Sequence, residues 1–337
     1  MSENKMKKTV ELPLVEPLYS TYHFQGSHAA IIADNPSIRN FFFNKLINLM
    51  CNRKFLYGYT SPELSVVGSS YSQNPHIETK VIPTEYIGAA TNSVIKNLLD
   101  DGWYVVITGI DDYYIKGKSW YHEVHVNHDG LIVGYDDNKR TFSFYAYDQT
   151  WVYRKFETPQ YCVEKARSEG AKKGSGELWA CKPKSEQVKL EPKTICDGIK
   201  EYIGSSFNMY RPIINANAYG IVVQDYLVMY IDRLSAGIIT HNRMDTRIFR
   251  LIWEHKKVML ERIRAVENEL ALDKLSGYKY EPLVKLADDM RMLYAAYHKT
   301  GRVSLLQGIR EKLINLRERE FEVLNEFVIK IEEAMKK

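Results

Sequence analysis

Cysteine is scarce. The 337-residue chain has four, at Cys51, Cys162, Cys181 and Cys196, and no two share the short spacing of a zinc ribbon or a redox pair. A disulfide scaffold and a structural zinc site are both excluded on that ground. No apolar run approaches the roughly 20 residues that a bilayer-spanning helix needs, so no membrane association is expected. The basic start, Met1 to Lys8, leads into Glu11-Leu12-Pro13 rather than an apolar stretch. No secretory signal is therefore expected, and a cytoplasmic location is. A dominant charge is missing too: Lys and Arg number 46 against 42 Asp and Glu, a formal net charge of +4. The longest basic stretch, Lys172, Lys173, Lys182, Lys184 and Lys189, is broken by Gly, Ser and Glu. It reads as a solvated linker rather than the aromatic-interleaved stripe that nucleic acid demands. There is no P-loop, no Gly-x-Gly-x-x-Gly after a strand and no Gly-x-Ser-x-Gly elbow. Nucleotide-driven ligation is thereby disfavoured and no cofactor is expected.

What remains is enough for a packed core, with 45% hydrophobic and 26% charged residues. The text changes period along the chain. Up to about residue 165 it is punctuated, rich in tyrosine and strand-like. Trp103 to Ile110 is a β-branched run entered through Asp100-Asp101-Gly102; Gly130 to Asp136 and Thr141 to Asp148 follow, joined by the turn Asp136-Asp137-Asn138-Lys139 as an antiparallel hairpin. Two helices are predicted within this region. One opens near Pro36 and runs to Met50 on Ile38, Phe41, Phe42, Leu46 and Leu49; the other covers Thr91 to Leu99. Residues 165 to 193 carry three glycines and two prolines among lysines and read as the boundary. Beyond it the period is 3.6. Helices are expected at Ala218 to Leu234, Ile248 to Leu270, Pro282 to His298 and Leu306 to Met335. The fold class is α+β, with a mixed domain over residues 1–190 and a helical bundle over 191–337.

Chemistry concentrates in Trp120-Tyr121-His122-Glu123-Val124-His125-Val126-Asn127-His128-Asp129-Gly130. On a strand His122 and His128 share a face and His125 points away, and the zincin spacing is absent, so no metal centre is expected. His128 instead enters one hairpin strand while Asp148 leaves its neighbour. Across an antiparallel pair those positions can face one another, bringing an imidazole and a carboxylate into hydrogen-bond range. Such a carboxylate fixes the imidazole tautomer and stabilises its protonated form.

His128-Asp129-Gly130-Leu131-Ile132-Val133-Gly134-Tyr135-Asp136, followed by Phe144-Tyr145-Ala146-Tyr147-Asp148, resembles the histidine and aspartate strands of papain-like proteins of the butirosin biosynthesis protein H type. Val106-Ile107-Thr108-Gly109-Ile110-Asp111-Asp112-Tyr113-Tyr114 is similar to that family's strand ending in an acidic residue and paired aromatics. The likeness covers about residues 20 to 165. It implies a papain-like domain with an antiparallel sheet and a long helix, and an acyltransferase that forms amides. The acyl donor would be a thioester on an acyl or peptidyl carrier protein, and the acceptor a small amine. The amide-forming enzyme of closthioamide-type polythioamide assembly, which uses a diamine, is one relative of this kind. The family's nucleophilic cysteine opens the first long helix, where the helix N-terminus favours thiolate. Here His28 is followed by Ala29-Ala30, and Asp34-Asn35-Pro36-Ser37 holds no sulfur. Three alternatives follow: Cys51 serves with His128 and Asp148 as a Cys-His-Asp set; Ser27 or Ser37 substitutes; or the protein positions substrates without covalent catalysis. In function, the alternatives to amide formation are a module that binds a carrier protein or an intermediate, and a thiol hydrolase that admits water to the same residues. Cys51 also reads as a small buried apolar residue.

Overall fold

The computed structural model describes residues 8–58, 60–69, 74–172, 174, 176–206, 217–240 and 243–336. Residues 1–7 of the basic start and Lys173 lie outside these. In chain order the regular elements are β1 (Thr9–Glu11), α1 (His23–Ala30), α2 (Arg39–Lys45), β2 (Leu49–Asn52), β3 (Leu64–Val66), β4 (Ile77–Pro83), α3 (Thr91–Asp100), β5 (Tyr104–Asp111), β6 (Asn127–Asp136), β7 (Thr141–Tyr147), β8 (Tyr153–Pro159), α4 (Gln160–Ala171), β9 (Glu177–Pro183), α5 (Pro192–Ile203), β10 (Asn217–Tyr219), α6 (Val223–Ser235), α7 (Ile248–Glu269), α8 (Leu275–Thr300) and α9 (Ser304–Ala334). The chain is thus mixed α+β, with antiparallel sheets and a helical C-terminal part. Among the described residues no helix is long and apolar enough to cross a membrane.

Two compact units emerge, Met1–Pro36 with Ser70–Gln187, and Ser37–Ser69 with Val188–Lys337. The first is built on an antiparallel sheet of order β4-β9-β5-β6-β7-β8, with β1 added to the far end of β6. Successive residues of β5 are buried on both faces. Tyr104 and Val106 join Leu131, Val133, Ala30 and Ile31 on the side of α1. Val105 and Ile107 join Ile95, Leu99, Val163, Ala166 and Phe144 on the side of α3 and α4. A sheet covered on both sides needs continuous rather than alternating apolar text, which Tyr104 to Ile107 supplies. The predicted hairpin is present, Asp136 pairing with Thr141, and Asp136 Oδ1 accepts the Asn138 and Lys139 amides in its turn. Between Ile107 and Ile110 the register with β6 shifts. Gly109 sits in this irregularity at φ +64, a left-handed conformation that glycine adopts without steric cost. There α4 comes so close that a Cβ on Gly170 would lie 2.1 Å from the Gly109 carbonyl oxygen.

In the second unit β10-β2-β3 form a small antiparallel sheet beside α2 and α5–α9. The helices from α6 onward cover the stretches that the 3.6 period marks, with two shifted starts: α6 begins only at Val223, after strand β10 and a 3-10 turn at Gly220–Val222, and α8 begins at Leu275, so that Pro282 lies inside it. Three expectations are corrected. The helix predicted from Pro36 to Met50 is a 3-10 turn, Pro36–Ile38, then α2, then strand β2. Fully buried Arg262 explains the stop: its guanidinium donates to the carbonyls of Phe42, Phe43 and Leu46, occupying the helix's last acceptors. The chain then enters β2, paired with β3 and β10. The expected linker at 165–193 instead contains the end of α4 and all of β9, which lies inside the sheet between β4 and β5. The division of the chain falls between Gln187 and Val188, within that stretch, while residues 37–69 group with the helices rather than with the N-terminal unit.

Candidate active site

The site grows from the end of β5. In the β5–β6 pair Ile110 lies opposite His128, so Asp112, two residues further, is a diagonal neighbour of His128 on the same side. The Asp112 amide donates to the Val126 carbonyl, which keeps the strands together past the last paired residues. His128 Nδ1 donates to Asp112 Oδ2 at 2.7 Å. The other carboxylate oxygen accepts Lys118 Nζ at 2.7 Å, and Lys118 reaches on to the Asp129 carbonyl at 3.4 Å. The side chains of Lys118 and Asp112 are 2% and 3% exposed, whereas that of His128 is 38% exposed. A buried cation and a buried carboxylate thus hold an imidazole that faces outward. Asp129 lies beside them and accepts the Gly109 amide at 3.3 Å. Burial raises its pKa, against the lowering effects of the Gly109 bond, Lys118 and His128.

The preceding residue repeats the pattern. Asp111 Oδ1 accepts the Tyr113 amide at 3.2 Å, capping the 3-10 turn Asp112–Tyr114, and Asp111 Oδ2 accepts His125 Nδ1 at 2.8 Å. Tyr113 stacks on His125 with ring centroids 4.0 Å apart. His122, at φ +60, stacks instead on Tyr121. Each of the three histidines therefore has its own partner. Among the described residues no three His, Cys, Asp or Glu side chains gather where a metal ion could be held.

Asp148 does not meet His128. Its Oδ1 accepts the Thr150 amide and hydroxyl, both at 2.7 Å, and the Val152 amide at 3.1 Å, while Arg154 pairs with its Oδ2. Burial pushes its pKa up, but these donors outweigh that and hold it below the usual carboxylate range. Asp148 is the organiser of a turn. Replacing it with Asn is expected to cost on the order of 2–3 kcal/mol, through loss of charge-assisted bonds at a buried site. Its stabilising contribution should be complete above the ordinary carboxylate range and disappear as pH falls through its lowered folded pKa. Thermal melts of Asp148→Asn and wild type across pH 2–6 check both; parallel pH curves would contradict the assignment.

The helix start at Pro36, where the resemblance places the nucleophile, is a 3-10 turn without a cysteine, and α1, which the sequence pattern does not predict, holds none either. The first residue of α1, His23, lies edge-on to His128 with ring centroids 5.5 Å apart, and also meets Tyr147 and Tyr153. Packing here is close: a Cβ on Gly26 would lie 2.6 Å from the Tyr153 ring. Buried Ser27 bonds the Tyr153 hydroxyl at 3.4 Å, and burial lowers the pKa of His28 to about 3, which keeps it neutral. Ser37 belongs to the second unit, where its Oγ accepts the Val188 amide. Cys51 also belongs there, in β2 opposite Leu64 and Ala218. It is 0% exposed, its thiol directed at the Asn52 carbonyl, and burial pushes its pKa up to about 12. Cys162 and Cys181 of the first unit are buried as well.

No protein-family model and no curated protein matches this chain. Of the expected trio, then, only His128 sits in an acid–imidazole pair, and its carboxylate is Asp112. The signal for that partner was available in the consecutive Asp111-Asp112 at a strand end, answered by His125 and His128 with the same direction of spacing.

Proposed function

We propose that the first unit is a papain-like domain of the butirosin biosynthesis protein H type that forms amides by direct acyl transfer. The acyl group moves from a carrier-protein thioester to a small amine, with His128 as general base and without a thioester on the protein. The carrying observation is the 2.7 Å bond from His128 Nδ1 to Asp112, itself fixed by buried Lys118. With Nδ1 engaged by the carboxylate, Nε2 is the ring nitrogen left to accept a proton, on a side chain that is 38% exposed. The amine nitrogen attacks the thioester carbonyl carbon, an N–C bond forms and the C–S bond breaks. His128 takes the proton from nitrogen and returns it to the departing sulfur. Asp112 stabilises the imidazolium in between, and a positioned base of this kind contributes about 10²–10⁴ in rate. A thioester is already activated, which fits the absence of a nucleotide motif from the sequence.

Both cysteines of this unit are buried and α1 begins with His23 rather than a thiol. That observation also favours a second reading, in which the same groups only bind a carrier-linked intermediate. Incubation with an acyl-N-acetylcysteamine thioester and an amine separates the readings by product mass. Amide is expected from wild type and equally from Cys51→Ala, with no acyl adduct on intact protein. Loss of turnover in Cys51→Ala, or an adduct mapped to Cys51, would restore the covalent mechanism; no amide from any form would leave the binding reading.

A further inference from the structure

The turn organised by Asp148 has one product that the base chemistry does not use. Trp151 stands in it at φ +61, a left-handed conformation that disfavours any residue bearing a Cβ, and is nonetheless 54% exposed. Its amide donates to the Asp148 carbonyl, and the Asp148 amide donates to the Val152 carbonyl. Trp120 meets it edge to face with centroids 5.4 Å apart. The two tryptophans come from different segments stitched together, since Ser119 Oγ donates to the Asp148 carbonyl at 2.9 Å and the Gln149 amide to the Gly117 carbonyl at 2.8 Å. Between Gly117 and Ser119 is Lys118, the residue that holds Asp112. One loop therefore carries both the support of the base and half of the aromatic pair. A large apolar side chain held outward in a disfavoured conformation, by a buried carboxylate, is the kind of outlier that points to a ligand.

We propose that Trp120 and Trp151 form the surface that receives the apolar acyl chain of the thioester. The proposal rests on the acyl-transfer reading above and names its donor class. Charge selects the ligand: Asp148 is buried and occupied, while Arg154, paired with it, brings a cation to the same turn. A cationic ligand finds no counter-charge in this turn, whereas a neutral hydrocarbon chain loses nothing there and gains apolar contact, with exposed Val152 alongside.

The test is a binding series followed by calorimetry, using N-acetylcysteamine thioesters from acetyl to octanoyl. Affinity of the wild type should rise by roughly fourfold for each added methylene until the surface is covered. Trp151→Gly should flatten that rise while melting at or above the wild-type temperature, because glycine adopts φ +61 freely. Trp151→Phe should keep most of the slope. A flat wild-type series, an unchanged slope in Trp151→Gly, or a Trp151→Gly protein that melts well below wild type would each overturn the proposal, the last by making Trp151 a packing residue. Amide formation is measured alongside. A chain-length slope without turnover keeps the acyl surface and removes the transfer chemistry; turnover with a flat series does the reverse.

Discussion

His128→Ala is expected to lower the rate of amide formation by about 10²–10⁴-fold while leaving the melting temperature within a few degrees of wild type. The two halves of that expectation have separate causes. The imidazole is the only part of the Lys118–Asp112–His128 chain that is well exposed, so removing it leaves the Lys118–Asp112 ion pair intact and buried. The rate loss is what a positioned base contributes. Asp112→Asn should behave differently. It takes the counter-charge from buried Lys118 and the acceptor from His128 together, so it should lose activity and also stability, by about 3–5 kcal/mol for a buried pair broken on one side. A steady-state assay with each variant, paired with thermal melts, checks both. If His128→Ala retained wild-type turnover, general-base catalysis at this imidazole would be excluded.

A second large effect is expected in the helical unit. Lys256 on α7 and Glu320 on α9 are both fully buried, and Lys256 Nζ lies 2.8 and 2.6 Å from the two carboxylate oxygens. Around them Tyr202 accepts from Lys256 at 2.9 Å, Tyr280 donates to Glu320, and Gln224 donates to both Tyr202 and Glu320. His255 donates Nε2 to the Ile47 carbonyl at 2.8 Å, which leaves Nδ1 to accept Lys256 at 3.3 Å. Burial, reinforced by the Lys256 and Arg262 cations, drives the His255 pKa far down and keeps it neutral. Five helices thus meet in one polar cluster inside an apolar bundle. Glu320→Ala strands a buried ammonium and two hydroxyl partners, and is expected to destabilise by about 3–5 kcal/mol, roughly a 10 °C drop in Tm for a unit of this size. The double variant Lys256→Met with Glu320→Leu removes both charges and should be less destabilised than Glu320→Ala alone. Equal melting of the single variant and wild type would show that the cluster does not hold the bundle.

The elements legible in the sequence are those whose surroundings are uniform along their length. The helices α3 and α7 to α9 carry a 3.6 period, β7 alternates buried and half-buried residues, and β5 is a continuous apolar run bounded by turn residues. The first helix was not legible. From Gln25 to Ala30 every residue of α1 is buried, so it has no polar face to set a period, and Gly26 lowers its helix propensity further. Around Cys51, the run Leu46 to Met50 fits helix or strand equally, and a buried arginine 200 residues away decides between them. The site was half legible. Extending the observed register, in which Leu131 faces Tyr145, by three residues would set His128 opposite Asp148, as the sequence suggests. But β7 ends at Tyr147, and the chain turns at once with Asp148 serving its own turn. The carboxylate comes from the other neighbour, β5, where strand pairing and a following 3-10 turn decide which aspartate points where.

The protonation state of His128 in the folded protein tests the account most directly. Long-range proton–nitrogen correlation spectra should show the His128 ring as the tautomer that carries its proton on Nδ1, and in Asp112→Asn this preference should be lost. A His128 carrying its proton on Nε2 in the wild type would contradict the account, since no base would then face the bound amine.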